Sequence, residues 1–141
     1  MNLAPASIKK EGSAYDLTFA LGILAASGQI KAENISEYII MGELSLDGSL
    51  QPIRGALPIA IQAKKEGFKG FILPEQNARE AAIVSGLEVY GVKNIKQVID
   101  FFNSDLTLVE AVLEIVLVGR SDQFNFQDIP SVLSGVKHVT F

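Results

Sequence analysis

Three cations stand where their charge has a use. Lys9 and Lys10 come just before Glu11 and Gly12, and Arg54 lies between an expected strand end and an expected helix start. Together they are candidates for a basic rim that meets the backbone of DNA or RNA, or for a contact with a neighbouring subunit, because phosphate contacts need only charge and reach. The plainer reading is a wet loop at Lys9 and Lys10 and a solvated or ion-paired turn residue at Arg54. Asp16 and Glu43 each sit inside an apolar block, which marks them as partly buried carboxylates; a paired structural role is favoured over catalysis. Tyr15 and Phe19 are expected in the core, and the alternative for Tyr15 is a base-stacking platform beside Lys10. Zero cysteines and a single histidine, His138, remove thiol catalysis, zinc–thiolate sites, iron–sulfur clusters and multi-histidine metal sites.

The elements that position these residues follow from local pattern. In residues 42–55, GELSLDGSLQPIRG, Leu44 and Leu46 alternate with Glu43 and Ser45, and Asp47-Gly48 supplies a turn that tolerates positive φ. The stretch predicts a hairpin whose return carries Leu50 and Ile53. Arg54-Gly55 then leads into a helix with Pro58 in its first turn, Leu57, Ala60, Ile61 and Ala63 near helical spacing, and Gly67 as the C-terminal cap. Upstream, residues 13–28 predict a buried helix with Ser13 or Asp16 as N-cap. There Leu17, Ala20, Leu21, Leu24 and Ala25 fall at i, i+3, i+4, i+7 and i+8, and Gly28 ends the run.

Residues 38–41 read as a central strand entering the hairpin. Strands follow at 68–73 and 87–92, with a helix at 75–85 that turns Ala78, Ala81 and Ala82 inward. A helix capped by Asn94 covers 95–102 with Val98, Ile99 and Phe102 inward. The alternation favours an α/β or α+β sandwich. Residues 106–118 read either as a helix with Glu110 and Glu114 on its wet face or as two buried strand turns, and 136–141, VKHVTF, as a strand.

A chain of 141 residues suffices for one domain with a core of its own. The formal net charge of −4 opposes a protein that coats nucleic acid through overall charge and leaves a local basic patch open. No charged segment followed by an apolar one opens the chain. The most apolar run, 106–119, is interrupted by Glu110 and Glu114 and is shorter than the ~20 residues a spanning helix needs. A cytoplasmic protein without a membrane partner is expected.

Residues 42–77, GELSLDGSLQPIRGALPIAIQAKKEGFKGFILPEQN, resemble the core of the proteolytic domain of Lon proteases. Together with residues 2–30, NLAPASIKKEGSAYDLTFALGILAASGQI, they look still more like the N-terminal Lon-protease-like, ChlI-type domain of magnesium-chelatase-like AAA+ ATPases, the ComM/YifB competence-protein family. With residues 86–102, GLEVYGVKNIKQVIDFF, the resemblance covers residues 2–102. It implies an α/β (α+β) fold, Lon proteolytic-domain-like and akin to the ribosomal protein S5 domain 2-like type, lacking the N-terminal strands. Residues 1–103 form the Lon-like domain, and residues 104–141 an extension expected to complete the sheet or the oligomer interface.

Lon-type peptidases use a serine activated by a lysine within hydrogen-bond reach. Registered on Lys10-Glu11-Gly12 and Leu17-Thr18, the nucleophile position falls on Ala14, and Ser13 stands where the proteases have proline. Registered on Pro52-Ile53 and Gly55, the lysine position falls on Leu57. A displaced dyad on Ser13 would need Lys64 or Lys65, seven and eight positions beyond Leu57, which is roughly 10–12 Å along a helix at ~1.5 Å per residue and too far to share a proton. No G-x-x-x-x-G-K-[ST] occurs. The resemblance therefore implies a non-catalytic accessory domain without a cofactor of its own, ATP and Mg belonging to the ATPase domain. Its expected partners are further copies of itself, that ATPase domain, and DNA during recombination or competence. The rivals are a peptidase with a displaced dyad and a stand-alone protein-interaction domain.

Overall fold

The computed structural model describes residues 13–119. A 3-10 turn, Ser13–Tyr15, leads into α1, Asp16–Ala26; one further turn, α2, Ala32–Ile35, precedes β1, Tyr38–Ile40. The hairpin strands β2, Glu43–Leu44, and β3, Leu50–Gln51, are followed by α3, Ala56–Lys65, β4, Gly70–Pro74, and α4, Glu75–Ala81. Then come β5, Glu88–Val92, α5, Ile95–Phe101, a second 3-10 turn, Leu106–Leu108, and α6, Val109–Gly119.

β1, β4 and β5 form a parallel sheet in that order, with Ile39 opposite Phe71 and Ile72 opposite Tyr90. Successive side chains leave a strand on opposite faces, and the core divides accordingly. Ile39, Phe71, Leu73 and Val89 pack with Ala56, Ala60 and Ala63 of α3 and with Ala81 of α4. Ile40, Ile72, Tyr90 and Val92 pack with Leu17, Leu21 and Leu24 of α1, Ile99 of α5, and Val112 and Ile115 of α6. The result is a three-layer α/β fold, helices on both faces of a parallel sheet, in the class expected. Phe71, fully buried, contributes about 1.5–3 kcal/mol through the water it excludes.

Local chemistry accounts for the boundaries. Gly67 takes φ +84°, its N–H bonds the Lys64 carbonyl at 3.1 Å, and the Phe68 N–H reaches back to the Ala63 carbonyl at 3.0 Å. That pair of bonds is the Schellman closure that an αL residue permits. Asn94 caps α5 by accepting from the Gln97 N–H at 3.0 Å. At the hairpin, Asp47 accepts from the Ser49 N–H and hydroxyl; these bonds, the hydroxyl first, hold its carboxyl below the usual range. The hairpin is then fastened to the end of β5 by Leu50 N–H to the Lys93 carbonyl and Ile95 N–H to the Gly48 carbonyl, both 2.9 Å.

Several expectations are corrected. Among the described residues, 38–40 form an edge rather than a central strand: β1 pairs only with β4, and β4 is the strand flanked on both sides. The pattern agrees, since all five β4 residues are buried whereas Tyr38 and Ile39 are half-exposed. Leu46 stands 82% exposed because ladder pairing stops at Leu44, before the turn. The inward stripe of α3 is Ala56, Ala60 and Ala63, with Ile61 exposed; these methyls let the helix lie close to the sheet. Ala82 is exposed, since α4 ends at Ala81. Neither Ser13 nor Asp16 is the N-cap of α1: the 3-10 turn intervenes, Tyr15 takes that position without a side-chain bond, and Asp16 is the first helical residue. Tyr15, at this corner, is 56% exposed rather than core, while Phe19 packs partly buried. Residues 109–119 are helical, which decides between the two readings of that run. The expected absence of the first strands, the strand at 136–141 and His138 lie outside the described residues.

Candidate functional site

Of the residues singled out by sequence, Ala14 and the loop that carries Arg54 and Leu57 meet at one rim, beyond the carboxyl ends of β1 and β4. Open parallel sheets place their crevices at this end. Two backbone bonds bring the turn before α1 to it: the Gly42 N–H donates to the Ala14 carbonyl at 2.8 Å, and the Leu17 N–H to the Gly42 carbonyl at 3.0 Å. Gly42 is closely packed here, since a Cβ would lie 3.0 Å from Leu50 Cδ2 and 3.5 Å from Pro74 Cγ. The Thr18 hydroxyl adds a bond to the Ile40 carbonyl. Ala14 thereby rests against the cluster that contains Ile53 and Ala56.

The loop that returns from the hairpin is held from α4. Asn77, 8% exposed, accepts from the Ile53 N–H at 2.8 Å and donates its amide N–H to the Ile53 carbonyl at 2.9 Å. One side chain thus reproduces the paired bonds of a sheet neighbour and satisfies both polar groups of a buried backbone. One turn along, Glu80 accepts from the Leu57 N–H at 3.1 Å. Gly55, in the N-cap position of α3 at φ +74°, has no side chain to do this, so the open N–H is met from a different helix. Leu57 is half-buried, and Arg54 is exposed at the bend between the two fastened points.

The structure therefore brings Ala14 and the 53–57 loop to one rim and leaves Arg54 facing outward. Lys9 and Lys10 lie outside the described residues. Asp16 and Glu43 divide: Asp16 is 5% exposed and its Oδ2 accepts from the Leu44 N–H at 2.9 Å, a structural bond between helix and hairpin. Glu43 lines an open groove on the outer hairpin with Ser45, Asp47, Ser49 and Gln51. Lys64, weighed as a displaced base, donates instead to the Ser85 carbonyl at the other end of α3. Asn77 and Glu80 escaped sequence reading. The signal was there in Asn at the third position of a helix that opens directly after a Pro-terminated strand, yet its partner lies 24 residues earlier.

Away from the rim, Tyr38, Tyr90, Phe101 and Phe102 form an edge-to-face cluster, with the Lys69 amine 5.9 Å from the Tyr38 ring centre. The Tyr90 hydroxyl donates to Glu88; that bond, then burial, push its pKa up to about 12.

Comparison with known proteins adds what geometry leaves open. Residues 1–77 match the family described as "Subunit ChlI of Mg-chelatase". Over 103 residues, 73% of this chain and 20% of the relative, the sequence is 40% identical to the competence protein ComM of Haemophilus influenzae. It is 43% identical to the protein YifB of Escherichia coli over 86 residues, 61% of this chain and 17% of that one. Lon protease 2 of Bacillus subtilis is 33% identical over 98 residues, 68% of this chain and 17% of the protease. The chain spans about a fifth of the length of the curated relatives it matches. Among the described residues no helix is long and apolar enough to cross a membrane.

Proposed function

This chain belongs to the family of subunit ChlI of Mg-chelatase, and from that premise we propose that it is a non-catalytic Lon-like accessory domain of a magnesium-chelatase-like AAA+ ATPase. In this reading it supports assembly of the ATPase ring in DNA recombination or competence, working in the cytoplasm. Residues 1–103 are the Lon-like unit, and residues 104–141 an extension that completes the sheet or the oligomer interface.

The observation that carries the reading is the packing of Ala14. Its methyl group packs against the apolar cluster that includes Ile53 and Ala56, at the place where the resemblance puts a nucleophile, and Leu57 stands where it puts the activating amine. Neither side chain can transfer a proton. ATP and Mg belong to the ATPase domain of the parent protein, because the sequence contains no phosphate-binding G-x-x-x-x-G-K-[ST].

A second reading, DNA engagement through Lys9, Lys10 and Arg54, is favoured by the exposure of Arg54 at the rim. One experiment separates the two: the mass of the chain in solution at low and high salt, with and without branched DNA. A self-associated species indifferent to DNA is expected. A DNA complex that weakens steeply with salt and again in Arg54→Ala assigns the rim to phosphate instead. Hydrolysis of an unfolded protein, with labelling of Ser13 by a serine-reactive probe, refutes the non-catalytic reading.

A further inference from the structure

The run from Tyr38 to Leu44, YIIMGEL, has the composition of a segment that adds to other strands: β-branched and aromatic residues, one charge, no proline and no lysine. In an extended chain the polar groups of alternate residues point to the same side. Strands fill one side of this run. The Lys69 N–H reaches the Glu37 carbonyl at 2.8 Å, the Met41 N–H the Ile72 carbonyl at 2.9 Å, and the Ser45 N–H the Ser49 carbonyl at 2.9 Å. On the other side, at residues 40, 42 and 44, no strand arrives among the described residues. The start of α1 lies there instead. The Thr18 hydroxyl donates to the Ile40 carbonyl, the Gly42 N–H donates to the Ala14 carbonyl, the Leu17 N–H donates to the Gly42 carbonyl, and the Leu44 N–H donates to the Asp16 carboxylate. Bonds at every second residue are those that a neighbouring strand would make.

We propose that residues 14–18 are an edge lock, standing in for a strand so that 40–44 cannot pair with a strand of another molecule. The inference is independent of the assembly and DNA readings above. Two side chains complete the lock for a geometric reason. Beyond Leu17 the main-chain groups of α1 turn along the helix axis into its own bonds, so the outermost groups, at Ile40 and Leu44, are met from this helix by side chains. Asp16, 5% exposed, reaches Leu44, and Thr18 reaches Ile40. The Leu17 N–H belongs to the first turn of the helix, whose N–H groups have no partner within it, so one set of bonds satisfies a helix start and a strand edge together. Past Leu44 the edge closes by itself, because the chain turns and the Gly48 N–H bonds the Ser45 carbonyl at 2.9 Å. Covering an edge with a helix protects it where lysine and proline do not. Ala14, at the place where the resemblance puts a nucleophile, contributes its carbonyl.

The test compares assembly of the 141-residue chain as parent, Asp16→Ala, Asp16→Asn and Ile99→Val, each at a temperature that leaves the same fraction folded. Ile99→Val trims the core on α5 and controls for lost stability. Thioflavin T fluorescence follows strand addition, and sedimentation velocity follows the species that form. Asp16→Ala is expected to assemble on the order of tenfold faster than the parent and Ile99→Val, since a buried N–H left without an acceptor favours any strand that supplies one. Asp16→Asn, which keeps an acceptor, stays with the parent. Amide exchange at Leu44 accelerates in Asp16→Ala alone, and slows again in the assembled species. Should Asp16→Ala not fold, Thr18→Val, which removes the donor to Ile40, carries the same comparison. If Asp16→Ala and Ile99→Val assemble at the same rate, Asp16 contributes stability only and the lock is overturned. Assembly that leaves the Leu44 amide open to exchange runs through another edge and overturns it as well.

Discussion

Replacing Asn77 with alanine removes two hydrogen bonds from a place with little water. Each bond contributes about 0.5–1.5 kcal/mol net, and each Ile53 group left buried without a partner costs about 1–3 kcal/mol. Asn77 and Ile53 retain 8% and 7% exposure, so water admitted to the vacated volume recovers part of that cost. The expected loss is about 2–4 kcal/mol, or roughly 6–16 °C in Tm for a chain of this size. Urea unfolding reads it directly: the midpoint falls while the slope stays constant, as for a change confined to the folded state. Gln76→Ala, at an exposed neighbouring position, is the control and stays within about 0.5 kcal/mol. Asn77→Asp gives the sign. Its carboxyl still accepts from the Ile53 N–H but faces the Ile53 carbonyl, so burial and that oxygen raise its folded-state pKa above the unfolded value. Stability of this variant is therefore highest at low pH and is lost as pH rises through the raised pKa. If Asn77→Ala unfolds within about 0.5 kcal/mol of the parent, the clamp contributes nothing and the reasoning fails.

Other consequences are as direct. A Cβ at Gly91 would lie 2.8 Å from the Ala78 Cβ and 3.1 Å from the Glu75 Cα; Gly91→Ala should cost about 1–3 kcal/mol by forcing α4 off β5, read as a drop in Tm. Asp16→Leu leaves the Leu44 N–H without its acceptor and should cost about 1–3 kcal/mol in urea unfolding, whereas Asp16→Asn, which keeps an acceptor, costs less. Tyr90, with its pKa pushed up to about 12 by the bond to Glu88, favours the folded state fully below the unfolded tyrosine pKa of about 10 and loses that contribution as pH rises through 12. Phenolate absorbance should show Tyr90 ionising near 12, and Glu88→Ala should bring that transition down.

What could be read from the chain alone were features settled within a few residues or by a fixed period. Gly67 ends α3 because an αL residue lets two carbonyls of the last turn find donors, and Asn94 starts α5 because its side chain reaches three residues ahead. Both are local bonds. The parallel strands were legible as apolar runs. The α/β class followed from strands and helices alternating, and the resemblance to ChlI-type domains came from two long blocks of sequence.

Tertiary structure decided what depends on how distant segments meet. Nothing in YIIM says that among the described residues it pairs on one side while GFILP pairs on two, because strand order is set by where the crossover helices land. Tyr15 and Leu46 look like core residues by type, but each stands exposed at a corner of the described fold. Asn77 looks like an ordinary polar residue in a short helix until the chain folds back and brings Ile53, 24 residues earlier, within 2.8 Å. A hydrogen bond across that separation has no sequence period, so Arg54 could be named as a candidate from the chain, while the groups that hold its loop appear only in three dimensions.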